Sequence, residues 1–250
     1  MIGVPTKETS PRAGGTGLWT TPVRGRAALS ALAWVVGYVV GLVVLCLLGL
    51  LAASRLGAAR PDAALLALAI LGGSALAVLV AVRVHLLRRR GLTWADVGLR
   101  PPVHSLAHLL WQVPAVMVAG VVASMLVLVP LGTGPAGSDG LEDLATSGPP
   151  FVVLGLIAVA VLVPVAEEVV FRGIVLPALR ARFRAVPGIA LAGAVFAAVH
   201  LIPPALPYLL VVGISLCMMA QWYRSIVPGI VLHGVNNAVV FAGIVAAGTV

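Results

Sequence analysis

Long apolar segments separated by short polar loops dominate this chain. The seven segments are Ala27–Ala53, Ala63–Leu87, Val103–Leu131, Pro150–Leu179, Gly188–Leu201, Ala205–Trp222 and Ile226–Val250. Most of them reach the roughly 20 residues that a helix needs to cross a hydrocarbon core, but the fifth and sixth are short. Because lipid offers no hydrogen-bond partner to backbone groups, the spans should be helices. The pattern predicts an all-α, polytopic membrane bundle of about seven transmembrane helices, within a range of six to eight.

The same pattern divides the chain into three parts. Residues 1–26 are rich in Gly, Pro and Thr, and we expect them to form a disordered cytoplasmic tail. The first apolar run is too long for the core of a cleavable signal peptide, so it should remain as a membrane span. Residues 27–131 then hold the N-terminal transmembrane helices. Residues 150–250 hold the last four helices, which we expect to form the catalytic core.

Composition supports a membrane protein and excludes several other classes. The chain is 61% hydrophobic and only 10% charged, with a mean hydropathy of +1.13, whereas soluble domains carry about 25% charged residues. The net charge of +8 does not indicate a nucleic-acid partner, because the basic residues lie in short loops without interleaved aromatic residues. Cys46 and Cys217 lie far apart within apolar segments, so we expect small core residues rather than a disulfide or a metal site.

Loop charges predict the orientation of the bundle. Seven spans with a cytoplasmic N-terminus put nearly every arginine cluster on the cytoplasmic side, as the positive-inside rule requires. The first loop is mildly discordant, and the third loop is acidic. The basic residues on the predicted cytoplasmic side are Lys7, Arg12, Arg24, Arg26, Arg88, Arg89, Arg90, Arg100, Arg180, Arg182, Arg184 and Arg224.

Few ionisable residues remain within the predicted spans. They are Glu167, Glu168 and Arg172 on the fourth segment, His200 on the fifth and His233 on the seventh. A charged group near the bilayer centre costs about 2.5–3.5 kcal/mol on insertion scales. We therefore expect these side chains to be paired and to face the interior of the bundle.

Helical spacing suggests how they pair. Glu168 and Arg172 are four residues apart and can form an ion pair, whereas Glu167 is rotated by about 100° and is poorly placed for the same arginine. A purely structural Glu–Arg clamp is the alternative interpretation of this pair. By the same spacing His200 shares a face with Phe196. His233 shares a face with Asn237, with Asn236 nearby; such residues can also be ordinary core histidines and interhelical hydrogen bonds.

Depth favours a common site for these residues. Measured from the expected cytoplasmic ends of their helices, Glu167, His200 and His233 lie about 20, 20 and 14 Å deep at 1.5 Å per residue. All three depths fall near the middle of a hydrocarbon core about 30 Å thick. Independent core residues have no reason to share one depth, so the sequence predicts a single polar site.

A carboxylate, two imidazoles and a carboxamide in one membrane site suit the activation of water. A buried Glu can take a proton from water and pass it to a leaving amine, while His and Asn donate hydrogen bonds to a tetrahedral oxyanion. Glu167, His200 and His233 are equally suitable ligands for zinc, although no HExxH motif is present. Both a zinc-bound and a metal-free water fit this set of residues.

Three motifs give the chain a family resemblance. Residues 167–172 (EEVVFR) match EExxxR, residues 196–200 (FAAVH) match FxxxH and residues 233–237 (HGVNN) match HxxxN. In this order and spacing they resemble the CAAX protease and bacteriocin-processing family, also called Abi or type II CAAX prenyl endopeptidase-like. The resemblance covers roughly residues 150–250.

The resemblance implies a fold, an activity and residue roles. It implies a membrane bundle with a core of four helices that cleaves a peptide bond. It implies that Glu167 is the general base and that His200 holds the water. His233 and Asn237 would face the oxyanion or a metal, and Glu168 and Arg172 would be the supporting pair. We add Phe196 to the supporting residues.

The expected substrate is a membrane-associated peptide or protein tail near the cytoplasmic leaflet. The alternatives are a non-catalytic bacteriocin self-immunity or scaffold protein and a proton-coupled transporter, although no inverted repeat supports the transporter. A chain rich in Ala, Val, Leu and Arg with almost no lysine suggests a GC-rich bacterial genome, and therefore the cytoplasmic membrane.

Overall fold

The computed structural model describes residues 21–23, 25–57, 59, 61–133 and 139–248. Most of the predicted disordered tail lies outside the described residues. Eight helical elements carry the fold, and they are α1 (Arg26–Arg55), α2 (Ala63–Arg88), α3 (Leu109–Leu128), α4 (Asp139–Thr146), α5 (Pro149–Arg180), α6 (Ala185–Ala198), α7 (Leu206–Tyr223) and α8 (Val227–Gly248). No strand occurs within these described ranges. The predicted all-α membrane bundle is confirmed.

Within the described part of the chain, six helices are long and apolar enough to cross a membrane, namely α1, α2, α3, α5, α7 and α8. A short 3₁₀ turn precedes both α3 and α7. The sequence predicted a seventh span at residues 188–201. The corresponding helix, α6, has 14 residues and a length of about 21 Å, which is shorter than the hydrocarbon core. The six candidate spans therefore lie within the predicted range of six to eight, and α6 is an additional apolar helix that is shorter than these spans.

The outer surface of the bundle is apolar. Large side chains such as Leu45 on α1 and Leu110 and Leu126 on α3 are each more than two thirds exposed. Polar groups take the opposite position, since Glu168 and Arg172 are completely buried. This arrangement suits a chain whose surroundings are lipid, in which apolar residues need no burial and charged ones do.

Contacts between loops show which ends of the helices share a face. The loop between α2 and α3 bonds to the loop between α7 and α8: the Val103 N–H donates to the Tyr223 carbonyl and the Ile226 N–H donates to the Gly98 carbonyl. The end of α5 lies at the same face, because Arg180 Nη1 donates to Gln221 Oε1 near the end of α7. The three loops that carry most of the predicted cytoplasmic arginines thus lie on one face, called here the arginine face.

The opposite face is formed around α4. Leu144 of α4 is fully buried in a small apolar cluster with Ala64 at the start of α2 and Phe241 in the second half of α8. The end of α8 also reaches α4, since a Cβ at Gly248 would lie 3.0 Å from Cγ2 of Thr146. The acidic loop and the arginine loops are therefore at opposite ends of the bundle.

Helix α5 is irregular in the region that carries the first motif. It contains two π-helical turns, Ala158–Leu162 and Phe171–Val175, on either side of Glu167 and Glu168. Such turns insert a residue into the helix, rotate the side chains that follow and occur frequently at functional sites. The first motif, residues 167–172, thus begins in regular α-helix and ends in the second of these turns.

The five ionisable residues named from the sequence are not all that the spans contain. Arg83 and His85 already lie within the predicted segment Ala63–Leu87, and the structure places both in α2, in its π-helical turn. Arg83 is exposed close to the arginine face. His85 stacks on Trp34 with ring centroids 3.8 Å apart and shares a hydrogen bond of 3.1 Å with the Tyr38 hydroxyl. Both residues escaped notice because the sequence reasoning concentrated on the last four segments.

Candidate active site

A cavity of about 560 Å³ brings the predicted site residues together. Its walls come from α2, α4, α5, α7, α8 and the end of α6. The polar residues that line it are Glu167, His200, Tyr208, His233, Asn236 and Asn237. All four predicted catalytic residues thus face one cavity, in agreement with the predicted common site.

Glu168 and Arg172 form the predicted ion pair. Arg172 Nη1 lies 2.6 Å from Glu168 Oε1, and both side chains are fully buried. Arg172 Nη2 also donates to the Gly213 carbonyl of α7 at 3.1 Å, and its guanidinium lies 4.5 Å from the centre of the Phe196 ring. The arginine therefore joins α5 to α6 and α7 as well as neutralising its neighbour.

His233 connects the ion pair to Glu167. Its Nδ1 lies 3.2 Å from Glu168 Oε1, and its Nε2 lies 3.8 Å from Glu167 Oε2. A carboxylate only accepts hydrogen bonds, so Nδ1 carries a proton and donates to Glu168, while Nε2 faces Glu167. The 3.8 Å separation is longer than a hydrogen bond. Glu168 thus holds the His233 ring through Nδ1, and Glu167 faces Nε2 on the other edge of the same ring.

His200 is oriented in the same way by a backbone group. Its Nδ1 donates to the Phe196 carbonyl at 2.7 Å, which leaves Nε2 free of this bond. The Phe196 ring lies between the two histidines, with centroids 4.8 Å from His200 and 5.7 Å from His233. Phe196 is fully buried and serves as the common wall of both imidazoles.

Asn237 is held by the backbone of α5. Its Nδ2 donates to the Val159 carbonyl at 2.9 Å, within the first π-helical turn. Its Oδ1 accepts from Asn236 Nδ2 at 3.3 Å, and Asn236 Oδ1 accepts from the Tyr208 hydroxyl at 2.5 Å. The carboxamide of Asn237 is therefore bonded at both of its ends.

Close helix packing brings α8 against the buried carboxylate. A Cβ at Gly229 would lie 2.8 Å from Glu168 Oε2, and a Cβ at Gly234 would meet the Ala160 carbonyl of α5. Small residues allow such approaches between membrane helices. Both glycines flank His233 on α8, so they allow the imidazole to reach the two glutamates.

The predicted zinc ligands share the cavity but are not clustered. No group of three His, Cys, Asp or Glu side chains among the described residues could hold a metal ion. Glu167, His200 and His233 line the same cavity without forming such a group. Zinc binding therefore stays a prediction.

Sequence reasoning missed Tyr208 and gave no role to Asn236. Tyr208 follows Pro203, Pro204 and Pro207 at the start of α7, and its hydroxyl is one of the few polar groups in that apolar segment. A tyrosine hydroxyl within an apolar span usually has a hydrogen-bond partner, and this tendency could have identified Tyr208 as a candidate site residue. The partner itself lies 28 residues away on α8, and no local spacing identifies it.

Comparison with known proteins supports the family resemblance. The family model described as type II CAAX prenyl endopeptidase Rce1-like matches residues 149–239, a range that contains all three motifs. Comparisons with the curated proteins and with the solved structures found no match. Residues 149–239 are thus an Rce1-like segment, and the resemblance that the motifs predicted is confirmed at the level of the family.

Proposed function

We propose that this chain is an intramembrane endopeptidase in which Glu167 activates a water molecule. The observation that carries the proposal is the 3.8 Å approach of Glu167 Oε2 to His233 Nε2 on the wall of a cavity among the membrane helices. The Rce1-like match supports a CAAX-type protease at the level of the family.

The distribution of charge gives the two glutamates different roles. Arg172 is engaged by Glu168, so Glu167 keeps its carboxylate for a proton. The water oxygen attacks the carbonyl carbon of the scissile peptide bond, and its proton passes to Glu167. When the tetrahedral intermediate collapses, the C–N bond breaks and Glu167 returns this proton to the leaving amine. The second O–H of the water donates to the Nε2 atom of His200 or of His233, and this bond orients the water.

Asn237 supplies a donor for the oxyanion in this proposal. Its carboxamide has two N–H groups, and the Val159 carbonyl accepts from one of them. The second can donate to the charge that develops on the carbonyl oxygen. Removing one such donor typically costs a factor of about 10²–10³ in rate.

The surroundings of Glu167 support a membrane-embedded peptide as the substrate. A second cavity of about 680 Å³, lined almost entirely by aliphatic residues of α1, α2 and α5, also reaches Glu167. An extended peptide could place apolar side chains there and its scissile bond beside the polar cavity. Gly140 and Leu141 of α4 are among the residues that line the polar cavity, so the cavity extends toward the face opposite the arginine face.

We place the protein in the cytoplasmic membrane of a bacterium, with the N-terminus and the arginine face in the cytoplasm. The site then lies near the bilayer midplane, since Glu167 is about 20 Å from Arg180 and His233 about 14 Å from Arg224 at 1.5 Å per residue. The substrate accordingly extends to the middle of the membrane, as a peptide or protein tail near the cytoplasmic leaflet would.

The test compares new protein N-termini in host membranes that express matched levels of the wild type, Glu167→Gln or Glu142→Gln. Glu142 is exposed on α4 and outside the cavity, so its substitution makes the same chemical change away from the site. Membrane-proximal cleavage products should appear with the wild type and Glu142→Gln and be absent with Glu167→Gln. Identical profiles for all three would reject the protease and favour the immunity or scaffold alternative.

A further inference from the structure

We infer that Tyr208 is a positioning residue for Asn237 and acts through Asn236, a role that rests on the proposed function. The inference starts from an unbroken chain of hydrogen bonds along the cavity wall. The Tyr208 hydroxyl donates to Asn236 Oδ1, Asn236 Nδ2 donates to Asn237 Oδ1, and Asn237 Nδ2 donates to the Val159 carbonyl.

The donors and acceptors in this series of hydrogen bonds are fixed by the groups at its two ends. The Val159 carbonyl can only accept, so the nitrogen of the Asn237 carboxamide must point toward it and the oxygen must point toward Asn236. Asn236 therefore turns its own nitrogen toward Asn237 and its oxygen toward Tyr208, which can supply the hydroxyl proton. Without that proton the oxygen of Asn236, a residue 6% exposed, would lose its donor.

The ring of Tyr208 is held by a close contact with α3. A Cβ at Gly120 would lie 2.7 Å from Cδ2 and Cε2 of the ring, so only glycine leaves room for it there. Both Tyr208 and Asn236 line the cavity, but the ring is only partly buried whereas Asn236 is buried. Helices α3 and α7 thus set the position of the Tyr208 hydroxyl. Through Asn236, the hydroxyl fixes the orientation of the Asn237 carboxamide, which we propose as the oxyanion donor.

The chain offers a matched control on the same helix. Tyr223 is likewise on α7, where it is fully buried, and its hydroxyl donates to the side-chain amide oxygen of Gln112 at 2.9 Å. Tyr208→Phe and Tyr223→Phe remove the same group and the same type of hydrogen bond. Only Tyr208 lies on the cavity.

The experiment has a readout that needs no substrate. Asn236 and Asn237 are the only asparagines in the sequence, so selective ¹⁵N labelling of asparagine gives two side-chain NH₂ groups in a spectrum of the detergent-solubilised protein. Tyr208→Phe should shift both pairs of signals, and Tyr223→Phe should shift neither. A merely structural role of the ring predicts no shift at Asn237, because phenylalanine keeps the ring.

The second readout is the rate at which the cleavage products of the proposed protease form in membranes. We expect Tyr208→Phe to slow their formation by about tenfold, as loss of an outer-shell partner does, and Tyr223→Phe to leave the rate unchanged. Unchanged Asn237 signals, or shifted signals with an unchanged rate, would overturn the positioning role. If the wild type cleaves nothing, the proposed function fails together with the positioning role, and the spectrum still decides whether the hydrogen-bond chain exists.

Discussion

Three side chains carry the charge balance of the buried site. Glu168 is shared by Arg172 at 2.6 Å and by His233 Nδ1 at 3.2 Å, so one carboxylate neutralises a guanidinium and fixes the tautomer of an imidazole. A buried charge is tolerated only when it is paired and hydrogen-bonded. Removing one partner should therefore have a large effect on stability.

Arg172→Met tests the buried pair. It should lower the free energy of unfolding by about 3–5 kcal/mol, because Glu168 would be left buried without its cation. Equilibrium unfolding in mixed micelles measures the change. Glu168→Gln combined with Arg172→Met should recover much of the loss, since no buried charge then lacks a partner. A single variant as stable as the wild type would contradict this role of the pair.

Sequence spacing predicted some of these contacts and could not predict others. Four residues along one helix fix the neighbours Glu168 and Arg172, so their pairing followed from geometry alone. The bond between Glu168 and His233 joins residues 65 apart and depends on how closely α8 approaches α5. That approach needs Gly229, whose role becomes apparent only when the two helices are packed.

At the scale of elements, the loop between α2 and α3 is packed beneath the ion pair. Its short 3₁₀ turn, Trp94–Val97, is capped by Asp96, and bonds from the Thr93 N–H and hydroxyl lower the pKa of that carboxyl. Val97 is fully buried against the second π-helical turn of α5. A Cβ at Gly173 would lie 2.6 Å from the Val97 carbonyl oxygen.

Gly173→Ala should therefore force the turn away from α5. We expect a loss of about 1–3 kcal/mol in unfolding free energy, as for other overpacked sites, because the obstacle is a backbone atom. Gly37→Ala is the control: Gly37 lies within α1, and nothing lies within 4 Å of an added Cβ. The control should be neutral or stabilising by up to about 1 kcal/mol. Equal effects of the two substitutions would contradict the contact.

The helices themselves were largely predictable, but their irregularities were not. Hydropathy located every long span, since a membrane helix needs a continuous apolar run. The π-helical turns of α5 leave no comparable signal, because they depend on packing against other helices. The sequence also placed the end of α6 too late: the helix ends at Ala198, where the chain turns toward Pro203 and Pro204.

At the scale of the whole molecule, charge asymmetry matches the tertiary contacts. Hydrogen bonds link the loops around Gly98 and Ile226, and Arg180 bonds to Gln221, so the arginine loops share a face as the positive-inside rule predicts. Loop charges predict this arrangement because each loop lies at one end of two helices. Which face meets the cytoplasm is a prediction of the rule alone.

Single cysteines test that orientation. In a chain with Cys46→Ala and Cys217→Ala, an impermeant maleimide should label Ser147→Cys in intact cells, since Ser147 lies beside α4 on the opposite face. Arg184→Cys, on the arginine face, should react only after the membrane is opened. The reverse pattern would contradict the predicted orientation.

The central claim is that Glu167 activates the water that cleaves a peptide within the membrane. The most direct measurement is the rate at which purified protein in liposomes cleaves a peptide found in the membrane profiles. Glu167→Gln should reduce this rate by a factor of about 10²–10⁴, the usual contribution of a general base, while Glu142→Gln retains it. A Glu167→Gln protein that cleaves at the wild-type rate would contradict the account.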